Sequence, residues 1–169
     1  MAVFEFLADQ GIEIKLLDYL GNPADAKGMA TEVSAPEMTL NMDTDLRIGE
    51  GGVVNRPTTF DTMEASLTLK GISEQFALFC ATAQAKKQIL TVQLTGKGQD
   101  RYSSSVVDMK LVLKGYVSQM PLFGASAGEK SEMTLAIAVN AVSQQIGSFA
   151  MYFEPGAGKY EINGVNQWS

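Results

Sequence analysis

The stretch SSSVVDMKLVLKGYVSQ (Ser103–Gln119), followed after a loop by EMTLAIAVNAV (Glu132–Val142), decides the architecture. In the first segment Val107, Met109, Leu111, Leu113 and Val117 hold odd positions. Val106, Asp108, Lys110, Val112, Lys114, Tyr116 and Ser118 hold the even ones. The second repeats the pattern, with Met133, Leu135, Ile137, Val139 and Ala141 against Glu132, Thr134, Ala136, Ala138 and Asn140. A period of two puts alternate side chains on opposite faces, so each segment predicts a strand with one buried and one wet face. Ordinary strands run about five or six residues. Strands of this length serve something other than a compact sandwich.

Working outward, a second alternating segment begins at Ala30. Met38, Leu40, Met42 and Leu46 share one face; Glu37, Thr39, Asn41, Asp43, Asp45 and Arg47 share the other. Pro36 cannot donate to a ladder, so that end lies at an edge or a bulge. Gly49–Pro57 (GEGGVVNRP) reads as a mobile loop. After it, Met63, Ala65, Leu67 and Leu69 oppose Glu64, Ser66, Thr68 and Lys70, which predicts a second hairpin built like the first. Ser73 is a good helix N-cap, and Phe76, Phe79, Cys80 and Ala83 recur at helical spacing, predicting an amphipathic helix over about 73–85. Shorter strands are expected at Ile12–Leu16, Ile89–Leu94, Phe149–Phe153 and Tyr160–Ile162, with turns at Tyr19–Pro23, Gly96–Asp100 and Glu154–Gly158. Ala24–Gly28 reads as loop, and residues 1–10 as a weakly paired strand or an arm.

The 169 residues, 46% apolar, suffice for one domain with a real core. A net charge of −6 leaves no basic footprint for gripping nucleic acid. The single cysteine, Cys80, excludes an internal disulfide and fits a reducing compartment. The start, MAVFEFLADQG, carries an acid at Glu5 and no basic segment, unlike a secretory signal. No apolar run approaches the ~20 residues of a membrane span. The expectation is a soluble protein made in the cytosol, without a membrane anchor.

Chemistry is sparse. With no histidine, the commonest general base and metal ligand is missing. Cys80 sits on the apolar stripe of the helix and reads as a small core hydrophobe. Gly156-Ala-Gly-Lys159 mimics the end of a phosphate loop. The full motif needs glycine where Phe153 stands and Ser or Thr where Tyr160 stands. Gly49–Gly52 lacks dinucleotide-loop spacing. Asp43 and Asp45 could hold a cation, but a solvated strand face explains them better. No catalytic, cofactor or metal constellation survives. What needs explaining is the long polar face, which is either the wet side of an ordinary antiparallel sheet or the wall of a water-filled channel.

With this layout the chain resembles the major tail tube family of contractile-tailed, P2-like phages and the tube subunits of R-type tailocins. The resemblance runs from about Gly11 to the end. It is carried by the glycine-rich break Gly49–Gly52, SLTLKG (Ser66–Gly71) leading into the helix, KGYV (Lys114–Val117), the polar loop with Gly128-Glu-Lys130, and YEINGVNQ (Tyr160–Gln167). It implies a mainly β fold: an antiparallel β-sandwich or barrel with one short α-helix packed on the sheet. Subunits would oligomerise into a hexameric ring with a continuous inner β-barrel. Residues 1–169 would form one tail-tube domain, with inner hairpins about 30–70 and 103–143 and an inter-ring loop about 47–57.

The function implied is structural, not enzymatic, and needs no cofactor. Stacked rings form a hollow tube that conducts DNA in a phage or punctures the target envelope in a tailocin. Implied partners are further copies of the chain, a tail sheath protein, tape measure, baseplate and tail terminator proteins, and DNA passing without specific binding. The implied location is the virion tail or tailocin particle, assembled in the bacterial host cytoplasm. Lumen-facing positions would be Glu37, Thr39, Asn41, Asp43, Asp45, Glu64, Ser66, Thr68, Lys70, Asp108, Lys110, Lys114, Glu132, Thr134 and Asn140. Counting Arg47 with them, the wall carries six acids and four bases, a net of −2 per subunit. Mild repulsion suits a conduit, because an adhesive wall would trap DNA. The inter-ring loop would use Gly49, Gly51, Gly52, Val53, Val54, Asn55 and Arg56. A type VI secretion-like tube ring carrying effectors is the neighbouring alternative. A small ligand-binding β-barrel, which turns apolar side chains inward, is the distant one.

Overall fold

The computed structural model describes residues 2–6, 12–26, 29–46, 51–124 and 132–168. In chain order the elements are β1 (Phe4–Phe6), β2 (Glu13–Leu17), β3 (Pro23–Asp25), β4 (Ala30–Ser34), β5 (Leu40–Leu46), β6 (Val53–Phe60) and β7 (Met63–Leu69). Helix α1 (Glu74–Ala85) follows, then β8 (Leu90–Asp100), β9 (Val106–Gln119), β10 (Met133–Ile146), β11 (Phe149–Glu154), β12 (Lys159–Ile162) and β13 (Val165–Asn166). Among the described residues all strand pairs are antiparallel, and only β5 and β6 stand outside the main sheet.

The two long alternating segments are β9 and β10, each 14 residues long and paired with one another. Along its other edge β10 holds β7 through Met133–Val139 and then β11 through Val142–Ile146. The handover occurs at a bulge. Val139 pairs with Gly115 and Ala141 with Lys114, leaving Asn140 as an extra residue. One inserted residue in a structure of period two exchanges the faces. Leu135, Ile137 and Val139 point to the core before the bulge, and Val142 does so after it. Ala141, expected with the odd-numbered core residues, therefore lies on the side of Lys114.

The main run β4-β7-β10-β9-β8-β2-β3 begins and ends with strands that are consecutive in the chain. A flat run of seven strands would set its outer members about 29 Å apart. Five residue steps, from Asp25 to Ala30, reach at most about 18 Å. The run must curl, and its apolar side becomes the enclosed one. Ala26 closes the gap, its N–H donating to the Ile14 carbonyl (3.2 Å) and its own carbonyl accepting from Ala30 (3.2 Å).

Inside the curl lie Leu16, Leu67, Leu69, Leu90, Leu113, Leu135 and Ile137, all inaccessible to solvent or nearly so. Each such side chain contributes about 1.5–3 kcal/mol of apolar burial. Helix α1 packs against β9 and β3 and brings Phe76, Cys80 and Ala83 into this core. Ser73 caps it as its residue type predicts, its Oγ accepting from the Phe76 N–H (3.2 Å).

Several further expectations are corrected. The segment from Ala30 is not one long strand. β4 ends at Ser34, residues 35–39 carry no regular structure around Pro36, and β5 starts at Leu40. Consequently the segment after the loop pairs differently: β7 takes β4, not β5, over Ala30–Ser34. Second, Val53–Pro57 is not loop but the first part of β6, which pairs with β5 from Leu46↔Val53 to Leu40↔Phe60. The β-branched and aromatic content of VVNRPTTF outweighs its single proline, which a two-stranded ribbon tolerates because both strands are edges.

Third, Gly96–Asp100 continues β8. Both glycines mark close approach: a Cβ on Gly96 would lie 2.6 Å from the Phe6 ring, and one on Gly98 2.5 Å from the Met109 sulfur. They open a bed for β1, which pairs with Gly98–Asp100. Pro23, expected to end a turn, and Ala24 and Asp25, expected as loop, form the short strand β3 against β2. Arg47, Gly49 and the Gly128–Lys130 loop lie outside the described residues.

Asp100 ties β1 down. Its carboxylate accepts from Ser103 Oγ (2.7 Å), the Val3 N–H (3.0 Å) and the Tyr102 N–H (3.3 Å). The Ser103 hydroxyl and then the Val3 amide hold this carboxyl below its ordinary value.

Two outcomes follow from this packing. A Cβ at position 115 would sit 2.0 Å from the Ala138 carbonyl oxygen, so Gly115→Ala should cost about 3 kcal/mol, read from the denaturation midpoint. An unchanged midpoint would refute the close approach at the bulge. The depressed pKa of Asp100 means that its contribution is complete above the ordinary carboxylate value and is lost as pH falls through the lower folded value. Amide exchange should therefore show β1 protected at neutral pH and released in acid. In Asp100→Asn, β1 should be weakly protected with no such pH step.

Candidate functional site

Cross-strand register assembles the polar residues of the main run into one face. On β4 and β7 it carries Glu32 beside Thr68 and Ser34 beside Ser66. Across β7 and β10 it sets Thr68 by Thr134, Ser66 by Ala136 and Glu64 by Ala138. Beyond the bulge it passes to Lys114 beside Ala141 and Lys110 beside Gln145. On β8 and β2 it continues through Thr91, Gln93, Thr95 and Lys97 to Lys15 and Glu13. Small residues dominate where β7 meets β10: Ser66, Thr68 and Thr134 are half-buried and Ala136 is buried.

Two of the lysines on this face are matched locally. Lys97 is ion-paired with Asp108 directly across the β8–β9 ladder. Lys15 pairs with Glu13 at 3.0 Å on the same side of β2, and that carboxylate raises the lysine pKa, chiefly through their hydrogen bond. Both pairs are solvent-exposed, so they tune the local potential more than stability.

Of the residues expected to line a lumen, the fold brings together Glu64, Ser66, Thr68, Asp108, Lys110, Lys114 and Thr134. Glu132 precedes β10, Lys70 follows β7, and Asn140 occupies the bulge, so these three stand at the margins. Glu37 and Thr39 fall in the connection between β4 and β5, off the sheet. Asn41, Asp43 and Asp45 belong to β5 in the separate ribbon. The four-stranded polar wall expected from the sequence is thus redrawn. β5 leaves the sheet at Pro36, and β4, β8 and β2 supply the rest.

The ribbon β5–β6 holds the part of the expected inter-ring loop that the structure describes. Gly51 and Gly52 form a bend leading into β6, where Val53, Val54, Asn55 and Arg56 pair with Leu46, Asp45, Thr44 and Asp43. Met42 and Val54 are exposed. The base of the ribbon is fixed by the Asp61 N–H donating to the Thr39 carbonyl (2.8 Å). It is fixed again by Phe60, whose ring lies 4.8 Å from that of Phe153.

An aromatic cluster escaped the sequence reading because its members are far apart in the chain. Phe153 is fully buried with Tyr160 and Trp168 around it at 5.3 and 5.7 Å between ring centroids. Its outer side opens as a cleft of about 740 Å³ lined by Leu40, Phe60, Tyr160, Ile162 and Trp168 among others. A second hollow of about 510 Å³ lies between Phe60–Met63 and Glu154–Gly156. Neither holds paired acid and base groups. Among the described residues, no three His, Cys, Asp or Glu side chains converge as a metal site. Gly156-Ala-Gly-Lys159 ends a single 3-10 turn and enters β12, so no helix follows it to hold a phosphate.

Cys80 has no exposed surface, and burial pushes its thiol pKa up to about 12. A thiol so protonated is no nucleophile at neutral pH.

The comparisons with known proteins agree with this geometry. Residues 14–169 match the family described as phage tail tube protein FII. Among solved structures, the chain is similar to one in the cryo-EM structure of the anti-feeding prophage baseplate, with a TM-score of 0.56 and 14% identity over 82% of this chain and 95% of that one. It is similar to one in the sheath-tube complex of the PVC extracellular contractile injection system in its extended state, with a TM-score of 0.53 and 12% identity over 83% and 91%. The crystal structure of Hcp protein gives a TM-score of 0.54 and 13% identity over 85% and 98%. No curated protein matches the chain in sequence.

The buried thiol gives a direct check. A bulky thiol reagent should label the native protein far more slowly than the unfolded one. Cys80→Ala should cost about 1 kcal/mol from the small cavity it leaves. Rapid native labelling would show that the helix does not bury this face.

Proposed function

The chain belongs to the phage tail tube protein FII family, and from that premise we propose that it builds the inner tube of a contractile injection particle as hexameric rings stacked end to end. The observation that carries this reading is the ribbon β5–β6. A two-stranded sheet is marginal in water, yet this one is set apart from the main sheet with Met42 and Val54 exposed. A neighbouring copy would supply the missing surface. The ribbon is the contact between stacked rings, and Val53–Arg56 belongs to it as strand rather than loop.

Within a ring, the polar face around β7, β10 and β9 lines the lumen through Glu64, Ser66, Thr68, Asp108, Lys110, Lys114 and Thr134. Its small side chains, and its lysines interspersed with Glu64 and the paired Asp108, present a hydrated wall suited to DNA in transit. The solved assemblies sharing this fold include a sheath-tube complex, a baseplate and a tube-terminating cap. Sheath, baseplate and terminator proteins are accordingly the partners, with a tape measure in the lumen. The likeness to Hcp favours a second reading, a type VI secretion-like tube ring carrying effectors.

Concentrated protein should form rings or tubes visible by negative-stain electron microscopy. A strictly monomeric species by light scattering at millimolar concentration would overturn the proposal. Met42→Lys with Val54→Lys should leave subunits folded and rings formed but block stacking. Tubes of ordinary length from this variant would remove the ribbon from the stacking contact.

A further inference from the structure

We propose that Leu122 and Phe123 of one copy seat in the apolar cleft of Phe60, Tyr160 and Trp168 on a second copy, in a head-to-tail contact. The inference rests on the tube-subunit reading and assigns it a surface. Leu122 and Phe123 are 78% and 88% exposed, the most exposed large apolar side chains among the described residues. They follow β9 after Pro121, which is buried and anchors the segment. Two adjacent apolar side chains held out in this way are an anchor without a socket.

The socket on the same molecule is out of their reach. The segment leaves β9 at Gln119, which pairs with Ala136, whereas the cleft lies by Phe153, which pairs with Val142. Six residues along β10 amount to about 20 Å. The two features also flank β10 on opposite sides, the first on β9 and the second on β11 and β12. Each copy thus offers one anchor and one socket at separate places, the condition for a heterologous contact that closes as a ring or runs on as a filament.

Their chemistry matches. In a chain 19% charged, Gly115–Gly124 contains no charged residue. None of the residues lining the cleft carries a charge either. Joining them desolvates no ion, and the ring faces of Phe60, Tyr160 and Trp168 suit an inserted phenylalanine. At about 740 Å³ the cleft is roomy enough for both side chains. Two side chains fall well short of the roughly 800 Å² per partner of a stable interface. The contact is therefore the anchoring point of a larger surface, as buried aromatic residues commonly are.

The test uses two sets of full-length variants, each checked for folding by circular dichroism and thermal melting. Leu122→Asp with Phe123→Asp removes the anchor. Ile162→Glu, and separately Thr59→Glu, obstructs the socket without touching the buried Phe153. Each should weaken self-association by at least tenfold in analytical ultracentrifugation. An equimolar mixture of an anchor variant and a socket variant retains one intact contact per pair. It should give heterodimers where neither alone dimerises, and no closed rings. Variants that assemble like the unmodified protein overturn the contact and leave the tube reading standing. Loss of assembly in both sets without pairing in the mixture shows that the two patches serve different contacts, which overturns it too. If the unmodified protein stays monomeric, the tube reading fails and this contact with it.

Discussion

The structure depends on one strand serving two partners on the same edge. β10 must hold β7 and then β11, and it must keep apolar side chains inward with both. A regular strand could not do so while the sheet changes direction. The bulge at Asn140 supplies the extra residue, and Gly115 opposite supplies the space, since the backbones there approach too closely for any side chain. The curled main run lies on one side of this point and the aromatic cluster on the other. Phe153 ties them by pairing with Val142, the first core residue after the bulge.

The same arrangement separates two kinds of surface. The inside of the curl takes the aliphatic core and the helix. The outside keeps a polar face of serines, threonines, alanines and charged residues, two of its lysines paired with carboxylates. Apolar side chains are exposed at several places away from this face, among them Met42, Val54, Leu122, Phe123 and the cleft beside Trp168, while Tyr116 interrupts the polar face itself. Segregation of this sort keeps the proposed contacts of an assembly apart from the polar face.

Much of this was legible in the sequence, for identifiable reasons. β9, β10 and α1 announce themselves because their periods persist long enough to outvote any single residue, and Ser73 marks the helix start. β6 was missed because Gly51, Gly52 and Pro57 are loop signals, whereas its strand character depends on pairing with β5. The end of β8 was missed because Gly96 and Gly98 look like a turn. Only the Phe6 ring and Met109 lying over them explain why glycine stands there. The polar wall was half legible. Glu64, Ser66, Thr68, Lys110 and Lys114 were placed by alternation, but Glu37 to Asp45 were misplaced because alternation runs on unbroken through Pro36 while the sheet does not. The aromatic cluster was invisible, since Phe60, Phe153, Tyr160 and Trp168 share no period.

The ribbon has a consequence for timing. In the proposed assembly, a pair of strands held to its own subunit only at its base, through Phe60, gains further order when a neighbour arrives, so the entropy of fixing it is charged to the first encounter. Later subunits meet a surface already ordered and bear less of that cost. Growth of such an assembly is slow to begin and fast to continue, with a lag and a threshold concentration. A seed that presents ordered ribbons would abolish the lag, so a cell could decide where tubes start by deciding where the first ring is held.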